Sequence, residues 1–146
     1  MIRTFRLGAT LAVLTLPLPA MAEPLQATLY KNPLCGCCET YADYLRTSGF
    51  KVEVKPTNDL TMISQEAGVP AEFQGCHTTF IDGYVVDGHV PASVIGKLLS
   101  ERPTIAGITL PGMPIGSPGM DGIKAQPFTI YAVTKDGAAP TVYATD

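Results

Sequence analysis

The stretch Pro33-Leu34-Cys35-Gly36-Cys37-Cys38 carries three of the four cysteines of this 146-residue chain. It follows residues 26–30, whose composition predicts a strand, and it precedes residues 39–48, whose apolar positions recur at helical spacing. A CxxC motif between a first strand and a first helix is typical of thioredoxins. The cysteine-rich stretch therefore predicts both the fold and the place of a reactive site.

The elements that follow extend the same pattern. Residues 50–54 alternate apolar and polar side chains, which predicts a second strand, and residues 60–67 predict a second helix. Asp82-Gly83 is a strong turn signal for a hairpin. Pro91 suits the first position of a third helix, which Pro103 ends. We expect an α/β, thioredoxin-like fold in which a central mixed sheet is flanked by helices.

The composition changes after the third helix. Residues 107–122 hold three prolines and five glycines, which argues against both a helix and a central strand and predicts a Gly/Pro/Met-rich loop. Residues 126–133 and 141–144 then predict a C-terminal β-hairpin around a turn at residues 135–137. We expect residues 23–146 to form one domain that includes the loop and the hairpin.

Residues 1–22 predict a signal peptide. Arg3 and Arg6 precede an apolar run at residues 11–18, and Ala20-Met21-Ala22 fits the small-x-small pattern of a cleavage site. The apolar run is shorter than a membrane-spanning helix requires, and prolines interrupt it. We therefore expect an exported protein that keeps no stable membrane anchor after cleavage.

The charge balance argues against nucleic acid as a partner. The full chain has 10 Lys and Arg against 13 Asp and Glu, a formal net charge of −3. Loss of the two arginines within residues 1–22 would leave a net charge of −5. A surface of this sign repels a polyanion.

The cysteines allow three interpretations. In an exported protein, four cysteines usually form structural disulfides, and this remains an alternative. It fits poorly, because Cys37 and Cys38 are adjacent and a Cys35–Cys38 bond closes too small a loop to stabilise the fold much. The same pair suits a thiol–disulfide oxidoreductase, with Cys35 as the attacking thiolate and Cys38 as the resolving thiol. A helix start favours the thiolate through its dipole and its free N–H groups.

A third clustered sulfur favours the remaining interpretation, which is metal binding. Cys37 hinders a simple oxidoreductase because it can scramble the disulfide, whereas Cu(I) gains from each additional thiolate. The predicted topology also brings Cys76 and His77 to the cluster. Zinc is the rival metal, but zinc sites usually draw on two separated pairs of cysteines. Three further candidate ligands, for which a loop or core role is the alternative, are His89, Met113 and Met120.

A series of short motifs spans nearly all of residues 23–146. They are Tyr30-Lys31-Asn32-Pro33-x-Cys35-Gly36-Cys37-Cys38, Gly49-Phe50-x-Val52, Cys76-His77-Thr78, Gly83-Tyr84-Val85, Gly88-His89-Val90-Pro91, Glu101-Arg102-Pro103 and Pro111-Gly112-Met113-Pro114-x-Gly116-Ser117-Pro118-Gly119-Met120. In these motifs the sequence resembles the periplasmic CopG family, which is associated with copper resistance. The resemblance implies a thioredoxin-like fold, a periplasmic location and copper binding. It also implies a role in copper or silver tolerance through interconversion of Cu(I) and Cu(II).

The resemblance also implies which residues hold the metal. The implied ligands are the thiolates of Cys35, Cys37, Cys38 and Cys76, with His77 beside them. The family often has Trp three residues after the last clustered cysteine, where this chain has Tyr41, and we expect a small change in packing or redox tuning. The predicted partners are copper ions and other periplasmic copper-handling proteins. An enzymatic role would be that of a copper oxidoreductase or of a thiol–disulfide oxidoreductase.

Overall fold

The computed structural model of the protein describes residues 23–146, so the predicted signal peptide lies outside the described residues. The strands and helices are, in chain order, β1 (Gln26–Lys31), α1 (Gly36–Thr47), β2 (Lys51–Pro56), α2 (Leu60–Glu66), a 3-10 helix (Ala71–Phe73), β3 (His77–Ile81), β4 (Tyr84–Asp87), α3 (Ala92–Glu101), β5 (Gly107–Thr109), β6 (Thr129–Val133) and β7 (Thr141–Thr145). None of the helices in this part of the chain has the length and apolar character needed to cross a membrane.

All seven of these strands form one mixed sheet in the order β2-β1-β3-β4-β5-β6-β7. The pairs β1–β2 and β4–β5 are parallel, and the other neighbouring pairs are antiparallel. The β3–β4 hairpin turns at Asp82 and Gly83, both of which have positive φ, as the turn signal predicted. The α/β class and the mixed sheet are confirmed, as is the C-terminal hairpin of β6 and β7. The likeness to thioredoxins stays a prediction.

The sheet has a hydrophobic core on each face. On one face, α1 contributes Tyr41 and Leu45 and α3 contributes Ile95 and Leu98, and all four side chains are fully buried. On the other face a smaller cluster centres on Val69, which follows α2. Neighbouring residues of one strand contribute side chains to the two different cores, because successive side chains of a strand point to opposite sides of the sheet. The sheet therefore lies between helical layers, with α1 and α3 sharing one side.

Helix α1 begins three residues earlier than the sequence pattern predicted. Cys35 is its N-cap residue, in an extended conformation with φ −78° and ψ 100°. The Cys35 N–H donates to the carbonyl of Asn32 at 3.0 Å, which closes the turn after β1. Apolar spacing did not reveal the first turn, because cysteine and glycine carry little of that signal. As a result, Cys37 and Cys38 lie inside the first turn of the helix.

Strand β5 contradicts the expectation that residues 107–122 hold no central strand. It lies in the sheet interior between β4 and β6. The prolines of this segment begin only at Pro111, so Ile108 and Thr109 are free to pair and are fully buried. Gly107 is required where it stands, because a Cβ there would lie 1.8 Å from the carbonyl oxygen of Val85. Here glycine permits a close approach of two strands rather than interrupting one.

Candidate metal centre

The first part of the site is the cysteine turn, which we define as residues 32–38. It is shaped by the backbone, since Asn32 also accepts the Leu34 N–H through its side-chain oxygen at 3.0 Å. The sulfur of Cys38 is buried against the core, while Cys35 and Cys37 are partly exposed. These sulfurs lie at a helix N-terminus, where free N–H groups and the helix dipole favour negative charge.

Cys35 and Cys38 are joined by a disulfide, and Cys37 and Cys76 are free. The bond joins the two cysteines of the CxxC motif, the pair whose spacing suits a redox role. The structure thus represents the oxidised state of this pair. Two of the four sulfurs are engaged in the bond, and two remain as thiols.

Cys76 reaches the cysteine turn from the other side of the site. Its sulfur lies 3.8 Å from that of Cys37 and 3.5 Å from that of Cys38, and the sulfurs of Cys35 and Cys37 are 3.4 Å apart. The four sulfur atoms all lie within 4.8 Å of one another. The distant cysteine and the clustered ones therefore share one site, as the topology predicted.

The second part of the site is the histidine wall, which we define as residues 75–77 and 87–89. The sulfur of Cys76 lies 3.4 Å from Nδ1 of His77 and 3.0 Å from Nε2 of His89. Both imidazole rings are fully buried, and they meet edge to face with their centroids 4.8 Å apart. The wall thus gives the site two imidazoles that contact the same sulfur. His89 is as much a member of the cluster as His77.

Contacts and burial set the protonation of the two rings. Nδ1 of His89 lies 2.7 Å from the carbonyl oxygen of Pro118, which can only accept, so Nδ1 carries the proton and Nε2 presents its lone pair to Cys76. Burial lowers the pKa of His89. Burial, with the nearby His89, lowers the pKa of His77 to about 3. Both imidazoles are therefore neutral near pH 7, and Nδ1 of His77 and Nε2 of His89 lie against the Cys76 sulfur. Nε2 of His77 is buried without a hydrogen-bond partner among residues 23–146.

The thiol of Cys76 is held in its protonated form when no metal is present. Burial raises its pKa to about 12, and the neighbouring Cys37 adds to the shift. The thiol can donate its hydrogen to the lone pair of His89 Nε2. A bound cation reverses this preference, because a coordinating thiol is deprotonated outright. Metal binding at this sulfur would therefore release a proton.

Tyr41 supports both rings from α1. Its ring centroid lies 4.4 Å from that of His77 and 5.3 Å from that of His89. Its hydroxyl donates to the carbonyl of Val90 at 2.8 Å, and burial raises its pKa well above the usual range. The side chain is fully buried, so a neutral tyrosine packs against both imidazole rings.

Asp87 holds the wall in place, and the sequence analysis missed it. This fully buried carboxylate accepts the Gly75 N–H at 2.5 Å and the Thr78 hydroxyl at 2.7 Å. Burial raises its pKa to about 6, although these hydrogen bonds oppose the shift. A Cβ on Gly75 would lie 2.4 Å from the Cα of Gly88, so the two wall segments touch through glycine backbone. An acidic residue at the end of an otherwise apolar strand was the only sequence signal for this role.

The two candidate methionines lie on the Gly/Pro/Met-rich loop, which crosses the site at Pro118 and Gly119. A Cβ on Gly119 would lie 2.8 Å from the backbone nitrogen of Tyr41, so the loop packs directly on α1. Met120, the next residue, is partly buried, whereas Met113 is 52% exposed. The loop therefore reaches the cluster through the Pro118 carbonyl on His89, which the sequence analysis did not predict.

Comparison with known proteins gives two kinds of match. Residues 73–120 match a family described as a protein of unknown function, DUF411. Two solved structures of copper resistance protein CopG, form 2 and form 1, are each 38% identical to the chain with a TM-score of 0.77. Each match covers 85% of this chain, and 99% and 98% of the solved chains respectively. No curated protein matches the chain.

Proposed function

The chain belongs to the CopG family of copper resistance proteins, and from this premise we propose that it binds copper through its sulfur–imidazole cluster. The observation that carries the proposal is the convergence of four sulfur atoms and two buried histidines in two overlapping donor groups. Thiolate and imidazole suit copper in both of its oxidation states, whereas magnesium and calcium prefer oxygen. Neither donor group contains a carboxylate, so the donor set favours a soft ion over a hard one.

We propose that binding is strongest when the Cys35–Cys38 bond is reduced. Opening that bond takes two electrons and gives two thiolates, which raises the number of free sulfur donors from two to four. Two Cu(I) ions that become Cu(II) supply two electrons, so copper oxidation can balance the opening of the disulfide. Redox activity toward copper is thus a finer part of the proposal. Met113 and Met120 stay candidate ligands within it.

The test is a titration of the reduced protein with Cu(I) against a strong competing chelator. We expect tight binding that weakens by about a hundredfold in Cys76→Ser, because this is the one sulfur that belongs to both donor groups. Met62→Ser is the matched control, since it also removes a sulfur but from the exposed surface of α2. Equal affinities of the Cys76→Ser variant and the parent protein would refute copper binding at this cluster.

The second candidate function is a thiol–disulfide oxidoreductase, and the Cys35–Cys38 bond is the observation that favours it. This function needs only the two bonded sulfurs. Reduction of a disulfide peptide by glutathione should then be catalysed equally well by the parent protein and by Cys37→Ser. Copper binding makes the opposite demand, because Cys37 lies 3.4 Å from Cys35 and should be a ligand. Loss of copper affinity in Cys37→Ser, together with no reductase activity in either the parent protein or the variant, favours the copper function.

We further propose that the protein acts in the periplasm after residues 1–22 are removed. Export would bring the site to copper ions and to other copper-handling proteins of that compartment. Fractionation of cells that produce the full chain, followed by N-terminal sequencing, tests the location. The expected N-terminus is Glu23, and an intact Met1 in the cytoplasmic fraction would refute export.

A further inference from the structure

Lys31, the last residue of β1, is a buried charge next to the cysteine turn. It is 2% exposed. Its Nζ donates to three main-chain carbonyls of the turn, those of Asn32 and Pro33 at 3.3 Å each and that of Cys35 at 3.2 Å. It also pairs with the carboxylate of Glu39 at 3.0 Å. A buried ammonium persists only where such partners compensate for its lost hydration, so the turn is built around this charge.

The position of this charge matters for the sulfurs. One of the three carbonyls that Lys31 binds belongs to Cys35, whose sulfur is part of the cluster. Reduction of the Cys35–Cys38 bond turns an uncharged disulfide into sulfurs that can carry negative charge. A positive charge held on the backbone of the same turn stabilises the reduced form and any thiolate bound to metal. An apolar side chain at position 31 could fill the space but could not supply this charge.

Glu39 acts on the same sulfurs with the opposite sign. It lies in the first turn of α1, close to the cysteines, and its side chain is 54% exposed. It neutralises part of the Lys31 charge through the ion pair. Its own negative charge disfavours thiolates nearby. The pair is therefore arranged so that one member favours negative sulfur and the other moderates that effect.

We propose that Lys31 is a positioning residue that shapes the cysteine turn and supplies the positive charge that stabilises its thiolates, and that Glu39 attenuates this charge. The inference rests on the proposed function in one respect, namely that the thiolates are the working groups of the site. It adds a residue that sets how readily the cluster is reduced and how tightly it holds a soft cation.

The proposal can be tested because changes in the two members of the pair should shift the reduction equilibrium in opposite directions. Lys31→Met removes the positive charge and keeps a side chain of similar length, so it should disfavour the reduced form. Glu39→Gln keeps Lys31 and removes the negative charge, so it should favour the reduced form. Both changes break the same ion pair. If the pair were only structural, both variants would move the equilibrium in the same direction or leave it unchanged.

The experiment equilibrates metal-free full-chain protein with mixtures of reduced and oxidised glutathione. Two glutathione thiols reduce the Cys35–Cys38 bond and form one glutathione disulfide, and alkylation with peptide mapping counts the free thiols. We expect the equilibrium constant for reduction to fall about tenfold in Lys31→Met, which equals a potential lower by about 30 mV. In Glu39→Gln we expect it to rise by about threefold, since the exposed carboxylate is better screened.

A third variant keeps the test informative if Lys31→Met folds poorly. Lys31→Arg retains the charge and should stay within about twofold of the parent protein, and Glu39→Gln alone still tests the predicted direction. Shifts of the same sign in Lys31→Met and Glu39→Gln, or no shift in Glu39→Gln, overturn the proposal. Because no copper enters the experiment, opposite shifts in a protein that fails the copper titration would uphold this inference while refuting the proposed function.

Discussion

The cysteine turn and the histidine wall supply the same site, but they are built in different ways. The turn is one short run of chain, held by its own backbone, and two of its three cysteines are partly exposed. The wall joins two separate runs, and both of its histidines are fully buried. It also depends on Asp87 and on the Pro118 carbonyl. The reactive sulfurs are thus placed by local structure, whereas the imidazoles depend on tertiary contacts.

The test with the largest expected effect replaces one glycine by alanine in each region, which adds a methyl group to the backbone there. In the wall, Gly75→Ala places a Cβ 2.4 Å from the Cα of Gly88, and backbone cannot move aside as a side chain can. We expect a loss of about 4 kcal/mol in the free energy of unfolding, at the upper end for a single substitution. Chemical denaturation of the metal-free, reduced protein measures it.

The matched control in the turn is Gly36→Ala. A Cβ on Gly36 meets nothing within 4 Å, and the residue opens α1. Alanine is the better helix former by up to about 1 kcal/mol, so this variant should be as stable as the parent protein or more stable. Similar losses in the two variants would show that the turn is packed as tightly as the wall.

The second test concerns Asp87, the buried carboxyl group that holds the wall. Burial raises the pKa of Asp87 from 3.8 to about 6, so its contribution to stability is full below about pH 4 and is lost as the pH rises through about 6. Asp87→Asn keeps an acceptor for the Gly75 N–H but does not titrate. The stability of the parent protein relative to this variant should therefore fall by about 2.5 kcal/mol between about pH 4 and about pH 7.5.

Denaturation curves of both proteins over this pH range give the difference directly. Groups that titrate alike in the two proteins cancel in it, including the buried His77, whose lowered pKa destabilises the fold in acid. A constant difference across the range would mean that Asp87 does not change its charge there. Asp43→Asn is the control, because that exposed carboxylate lies on the outer surface of α1.

The contrast between turn and wall also explains what the sequence could reveal. The turn was predictable, since its cysteines are adjacent in the chain and a strand and helix flank them. The approach of Cys76 followed from the order of the elements. Asp87 and Lys31 were missed because each is held partly by main-chain atoms, which leave no trace in the pattern of side chains. Strand β5 was missed because a glycine usually indicates a break in a strand. Gly107 instead allows two strands to approach closely.

The smallest expected effect tests how the loop controls His89. Gly119→Ala and Gly112→Ala both place alanine at positive φ, +82° and +70° respectively, so both bear a similar backbone strain. A Cβ on Gly112 meets nothing within 4 Å, whereas one on Gly119 would press on the backbone of Tyr41. We therefore expect Gly119→Ala to lose about 2 kcal/mol more than Gly112→Ala.

If the effect of Gly119→Ala were purely steric, only stability would change. Because the loop contacts the wall, we also expect a change in the tautomer of His89. Displacing Gly119 moves the neighbouring Pro118 carbonyl away from Nδ1 of His89, which it contacts at 2.7 Å. Without that acceptor, no hydrogen bond favours the Nδ1–H tautomer of the ring. Nitrogen-15 NMR of the metal-free protein should then show a mixture of His89 tautomers in Gly119→Ala and a single one in Gly112→Ala. A single Nδ1–H tautomer in both variants would mean that the wall orients this imidazole without the loop.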